Sequence, residues 1–150
     1  MIKSKTKLPD KLSELILVAL EDLDKVKADP RYEIDLSSWH TSQEYTISGK
    51  CSVCFAGAVM AGRMAPDRIG ESIDPHDFEP SDARKLRALN ELRTGSLLDA
   101  MLEMDLEEIS LSDAPGIGLY SEYDFIDPDA YASFRAGMRA TSSWLAERGL

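Results

Sequence analysis

A chain of 150 residues can bury a hydrophobic core without staples and fits a single globular domain over residues 1–150. Its 43% hydrophobic and 29% charged content excludes the composition of a disordered chain. A formal net charge of −10 works against direct binding to nucleic acid or to an anionic membrane. The basic start, Met1 to Lys7, is followed by no apolar stretch of the kind a secretory signal needs. The longest apolar run, Val53 to Gly62, falls far short of the roughly 20 residues of a membrane span. Two cysteines in one Cys-x-x-Cys do not make an extracellular disulfide framework, so the expected compartment is the cytoplasm.

Leu8, Leu12, Leu15, Ile16, Ala19, Leu23 and Val26 recur at helical spacing, with Pro9 suited to the first turn and Asp29-Pro30 as a stop. Leu15 to Leu20 is apolar on every side, which predicts cover from other elements. Tyr32, Ile34 and Leu36 alternate with charged residues, and Tyr45 and Ile47 alternate again. Two short strands forming a hairpin near residues 32–48 are expected there, packed on the helices, with Trp39-His40 near the turn.

Cys51 to Met64 is almost uncharged and reads as a short helix. Gly57 with Ala61, and Ala58 with Gly62, are four residues apart, a spacing that lets another backbone approach closely. Glycine inside a helix costs about 1 kcal/mol relative to alanine, so close packing must offset it. This segment is the expected buried central helix. Asp67 to Pro80 reads as loop, and Ala83 to Arg93 returns to helical spacing through Leu86, Leu89 and Leu92. Thr94-Gly95 is a C-cap, and Ser96 with Asp99 opens a further helix from Leu97 to about Glu108. Ser110 to Ile126 has no periodicity. Asp127 and Pro128 then start a last helix whose Tyr131, Phe134, Met138, Thr141 and Leu145 share one face. The expected fold is mainly α: about five helices around a buried small-residue helix, with a small β hairpin.

Three readings compete for Cys51-Ser52-Val53-Cys54. At a helix N-terminus the dipole lowers a thiol's pKa, as thiol–disulfide exchange requires. That reading also needs a preceding strand in a βαβ unit, for which the upstream segment is weak. A tetrahedral zinc site would draw on Cys51, Cys54, His40 and His76, although their spacing matches no standard finger. The third reading, two small inert buried thiols, leads, and no cofactor is expected. His40 could serve either cysteine as a base, or sit exposed beside a Trp39 that anchors a turn. His76, among Asp74, Asp77 and Glu79, suits a hard cation or a solvated loop.

Asp99, Glu103 and Glu107 lie four apart, with Glu108 adjacent, so one stripe of the expected helix is acidic. Such a stripe is either a solvated face or a docking face for a basic partner. Tyr120, Tyr123 and Phe125 stand on a Gly-Pro loop that offers aromatic contact area, or else folds its rings onto the domain. The stretch from Trp39-His40 through Cys51-Ser-Val-Cys-Phe-Ala-Gly-Ala-Val-Met-Ala61 resembles a segment of small uncharacterised bacterial and phage or prophage-encoded proteins. That resemblance implies a phage-associated accessory origin and supplies no catalytic residues.

No phosphate loop, zinc-protease helix or nucleophile elbow is present in the sequence. The leading expectation is a non-enzymatic protein that binds another protein through its acidic helix face and aromatic loop. The alternative is a metal- or thiol-dependent protein working through Cys51 and Cys54.

Overall fold

The computed structural model describes residues 1–150, apart from the side chain of Glu122. Helix α1 (Leu12–Ala28) buries Leu12, Leu15, Ile16, Ala19, Leu20, Leu23 and Val26. It begins after Lys11, so Pro9 precedes the first turn rather than occupying it. Cover reaches most of its apolar middle and leaves Leu17 exposed.

The fold is mainly α as expected, and the short β element expected near residues 32–48 is present as part of a three-stranded sheet. Strands β1 (Tyr32–Ile34), β2 (His40–Thr41) and β3 (Cys51–Val53) lie in the order β1-β3-β2, with β1 parallel and β2 antiparallel to β3. Tyr32 and Ile34 are in a strand as expected, whereas Tyr45 ends a 3-10 turn (Gln43–Tyr45) and Ile47 stands in an exposed loop. Ser42 caps that turn by accepting the Glu44 N–H, so the backbone there takes a local bond instead of a ladder. The central strand is Cys51–Val53, buried throughout, and its one polar side chain, Ser52, donates its hydroxyl to the Glu33 carboxylate.

The small-residue helix therefore starts later than expected. Cys54 is its N-cap, its Sγ accepting the Gly57 N–H at 3.3 Å, and α2 (Phe55–Val59) continues into a π-helical turn, Met60–Met64. Every residue of α2 is buried. The close approach expected at its glycines is present: a Cβ on Gly57 would stand 1.7 Å from the Trp39 carbonyl oxygen. One on Gly62 would stand 3.2 Å from the Asp22 carboxylate. That carboxylate is buried and takes two bonds from Arg63, at 3.0 and 3.2 Å, which tie α1 to the π turn.

Helix α3 (Pro80–Arg93) ends as its sequence suggests. Gly95 adopts a φ of +90°, and the N–H groups of Gly95 and Ser96 bond the carbonyls of Leu92 and Glu91, each at 3.0 Å. Helix α4 (Leu97–Glu103) follows at once, with Ser96 accepting the Asp99 N–H at 3.2 Å. It stops about one turn short of the expected end near Glu108. Asp105 turns left-handed at φ 54°, and the Leu106 N–H closes on the Met101 carbonyl at 3.0 Å, which reverses the chain.

From there Leu106, Ile109, Leu111, Ala114 and Ile117 pack along the core in irregular conformation. Helix α5 (Pro128–Glu147) opens with Asp127 accepting the Asp129 N–H at 3.0 Å, and lies against α1. Its fully buried Phe134 meets Phe55 edge-on at 5.2 Å. Burying one such ring contributes about 1.5–3 kcal/mol. No helix among the described residues is long and apolar enough to cross a membrane.

Candidate functional site

The cysteine and histidine candidates separate into two places. The side chains of His40 and Cys51 meet diagonally across the β2–β3 ladder, both buried, with the Cys51 Sγ 3.7 Å from Nε2 and 3.8 Å from Nδ1 of the ring. The His40 Nδ1 lies 2.9 Å from the Glu71 carbonyl, which can only accept, so Nδ1 carries the proton and Nε2 is left to accept from the thiol. Burial lowers the His40 pKa and pushes the Cys51 thiol up to about 11. A working Cys–His pair needs the opposite: a thiolate beside an imidazolium, open to substrate. Here the contact joins two neutral groups and fastens β2 to β3.

Cys54 occupies the helix N-terminus foreseen for it, yet burial also pushes its thiol up to about 11 against the Gly57 N–H that favours the thiolate. Desolvation outweighs the helix end. Both cysteines are free thiols. His76 is exposed on a 3-10 turn (Pro75–Asp77), and two of its acidic neighbours, Asp74 and Asp77, are occupied in capping. Asp74 accepts the His76 N–H at 2.8 Å and Asp77 accepts the Asp74 N–H at 2.9 Å. The four supposed zinc ligands are not assembled, and no group of three or more His, Cys, Asp or Glu suited to a metal occurs among the described residues.

The acidic stripe is broken by the early end of α4. Asp99 is exposed on the helix, while Glu103 turns to α3, accepting Arg87 Nε at 3.3 Å and, through its carbonyl, Arg84 Nε at 2.9 Å. Glu107 and Glu108 are exposed but lie beyond the helix. The segment that carries them doubles back: Leu106 is bonded to Met101 near the end of α4, and Leu111 shares a groove with Leu98 near its start. That groove, about 320 Å³, is lined by Leu97, Leu98, Leu111, Ala114, Pro115 and Ile117. Beside it α4 exposes Leu98 (43%) and Leu102 (50%) one turn apart. Leu119, 81% exposed, would lie 3.5 Å from a Cβ on Gly95 at the same corner.

These leucines were missed as site residues, although the sequence carries a signal. Leu97 with Met101, and Leu98 with Leu102, are two apolar stripes on a helix of two turns, and only the first is buried.

The aromatic loop divides. Phe125 is buried against Phe134 at 4.7 Å and Tyr131 at 5.5 Å, and Tyr120 is half-buried, edge-on to Phe134 at 5.2 Å. These two rings pack onto Phe134 of α5 and offer little contact area to a partner. Tyr123 alone of the three is exposed, at 72%.

Comparison with protein-family models, curated proteins and solved structures finds no match for this chain.

Proposed function

We propose that this chain is a protein-binding module that holds a basic, apolar-anchored segment of another protein on its α4 face. The observation that carries this reading is Leu98 and Leu102 exposed beside an apolar groove, with Asp99 exposed on the same helix and Glu107 and Glu108 exposed in the segment that follows it. None of these three carboxylates has an ion-pair partner among the described residues. Covering a leucine contributes about 1.5–3 kcal/mol when burial is complete, so two half-covered leucines supply a few kcal/mol. Micromolar binding needs about 8 kcal/mol, so the partner must add anchors of its own in the groove. Carboxylates at the rim add orientation and encounter rate for a basic partner. An origin among phage or prophage accessory proteins rests on the resemblance over Trp39–Ala61 alone.

The test is zero-length carbodiimide cross-linking in source-cell lysate, which joins lysines of a bound partner to carboxylates in ion-pair contact. Cross-links to Asp99, Glu107 or Glu108 are expected. They should be lost in the Leu98→Asp, Leu102→Asp double variant, whose circular dichroism should match the native chain. Equal cross-linking of the folded double variant, or cross-links confined to other carboxylates, would refute the assignment.

A further inference from the structure

The edge of the sheet at β1 is open. Two bonds fix the phase of its parallel ladder: Cys51 N–H to the Arg31 carbonyl at 3.0 Å and Asp35 N–H to the Val53 carbonyl at 2.9 Å. Peptide groups alternate in direction along a strand, so Arg31, Glu33 and Asp35 address β3 while Tyr32 and Ile34 address the outer edge. The Tyr32 N–H folds back to the Asp29 carbonyl at 3.1 Å. The Tyr32 carbonyl and both main-chain groups of Ile34 are then left facing outward, without a protein partner among the described residues.

A groove of about 290 Å³ runs beside this edge, lined by Val26, Lys27, Tyr32, Glu33, Ile34, Phe125 and Ile126, with the Glu33 carboxylate taken up by the Ser52 hydroxyl. Ile126 is largely exposed there. Lys27 holds its Nζ 5.0 Å from the centre of the Tyr131 ring and has no carboxylate partner among the described residues. In a chain of net charge −10, an ammonium with no ion-pair partner beside this groove marks a local preference for a negative group.

We infer that the β1 edge binds an extended, acidic peptide segment of a partner protein. The segment adds a fourth strand to the sheet, sets one apolar side chain in the groove and places a carboxylate against Lys27. The outward carbonyl, N–H and carbonyl repeat at strand spacing, which another extended backbone complements. A helix, 10–12 Å across with its backbone groups internally bonded, would not satisfy them. This site shares no residue with the α4 face and prefers the opposite charge.

The probe is a displayed library of short random peptides selected on the whole immobilised chain, with the best binder then titrated into isotope-labelled protein. Selected peptides should alternate apolar and polar residues and carry an Asp or Glu, and binding should slow hydrogen exchange at the Ile34 amide. Lys27→Glu should weaken binding about tenfold, because an attraction becomes a repulsion, while Leu98→Asp should leave it unchanged. Failure to enrich any peptide, an Ile34 amide that exchanges as in the free chain, or full binding by Lys27→Glu would each overturn the inference. Peptides lost with Leu98→Asp instead would assign the binding to α4 and also count against the β1 edge.

Discussion

Replacing Gly57 by alanine should destabilise the chain even though alanine is the better helix former. In an open helix the change would add about 1 kcal/mol of stability. At Gly57 the new Cβ would meet the Trp39 carbonyl oxygen at 1.7 Å and its carbon at 2.9 Å. Comfortable C···O approach is about 3.3 Å, so α2 and the backbone before β2 must separate by roughly 1.6 Å. Overpacking of this kind costs roughly 1–3 kcal/mol. The same carbonyl accepts the Cys54 N–H at 3.3 Å, and stranding that buried donor costs roughly 1–3 kcal/mol more. Against the helical gain, the net loss is about 1–5 kcal/mol, with a central value near 3. For a chain of this size that lowers the melting temperature by about 6–12 °C. The matched control is Gly137→Ala in α5, where a Cβ meets nothing within 4 Å and the change should gain up to about 1 kcal/mol. Urea unfolding followed by far-UV circular dichroism compares the two. A Gly57→Ala variant as stable as Gly137→Ala would refute the packing of α2 on the Trp39 backbone.

The two thiols should be silent in the folded protein. With each pushed up to about 11, roughly one in a thousand is ionised at pH 8, and both are buried. An aromatic disulfide reagent should therefore titrate neither cysteine until denaturant is added, and prompt labelling of either would revive the thiol reading. Arg63→Ala should cost about 3–5 kcal/mol at neutral pH, because it leaves the buried Asp22 carboxylate uncompensated. Burial already raises the Asp22 pKa despite the guanidinium, so the protonated form is the one the fold tolerates better. The penalty is then absent below the ordinary value of 3.8 and grows as pH rises through the folded value. Unfolding free energies of variant and native chain should converge toward pH 4, and a pH-independent gap would contradict the buried pair.

What could be read from the sequence divides along the range of the interactions involved. Leu86, Leu89 and Leu92 with Gly95, and Asp127-Pro128 ahead of Phe134, locate helices because spacing and caps act within a turn or two. The sheet depends on partners distant in sequence. Cys51–Val53 opens an almost uncharged segment whose pattern fits a strand buried on both faces as well as a helix, and its pairing with Tyr32–Ile34 and His40–Thr41 decides the matter. The end of α4 turns on a left-handed Asp105, a conformation aspartate visits more readily than most residues but not one its presence announces. That single turn moved Glu107 and Glu108 off the helix. The acidic half of the candidate surface was thus legible as composition, and its geometry was not. The apolar half does not stand apart from core in the sequence, since leucines at helical spacing mark a core stripe and an exposed stripe alike. A two-turn helix at the periphery has only one side to bury, and α4 spends Leu97, Ala100 and Met101 on it. Leu98 and Leu102 exceed what packing α4 requires, which is why the binding proposal rests on them more than on the carboxylates.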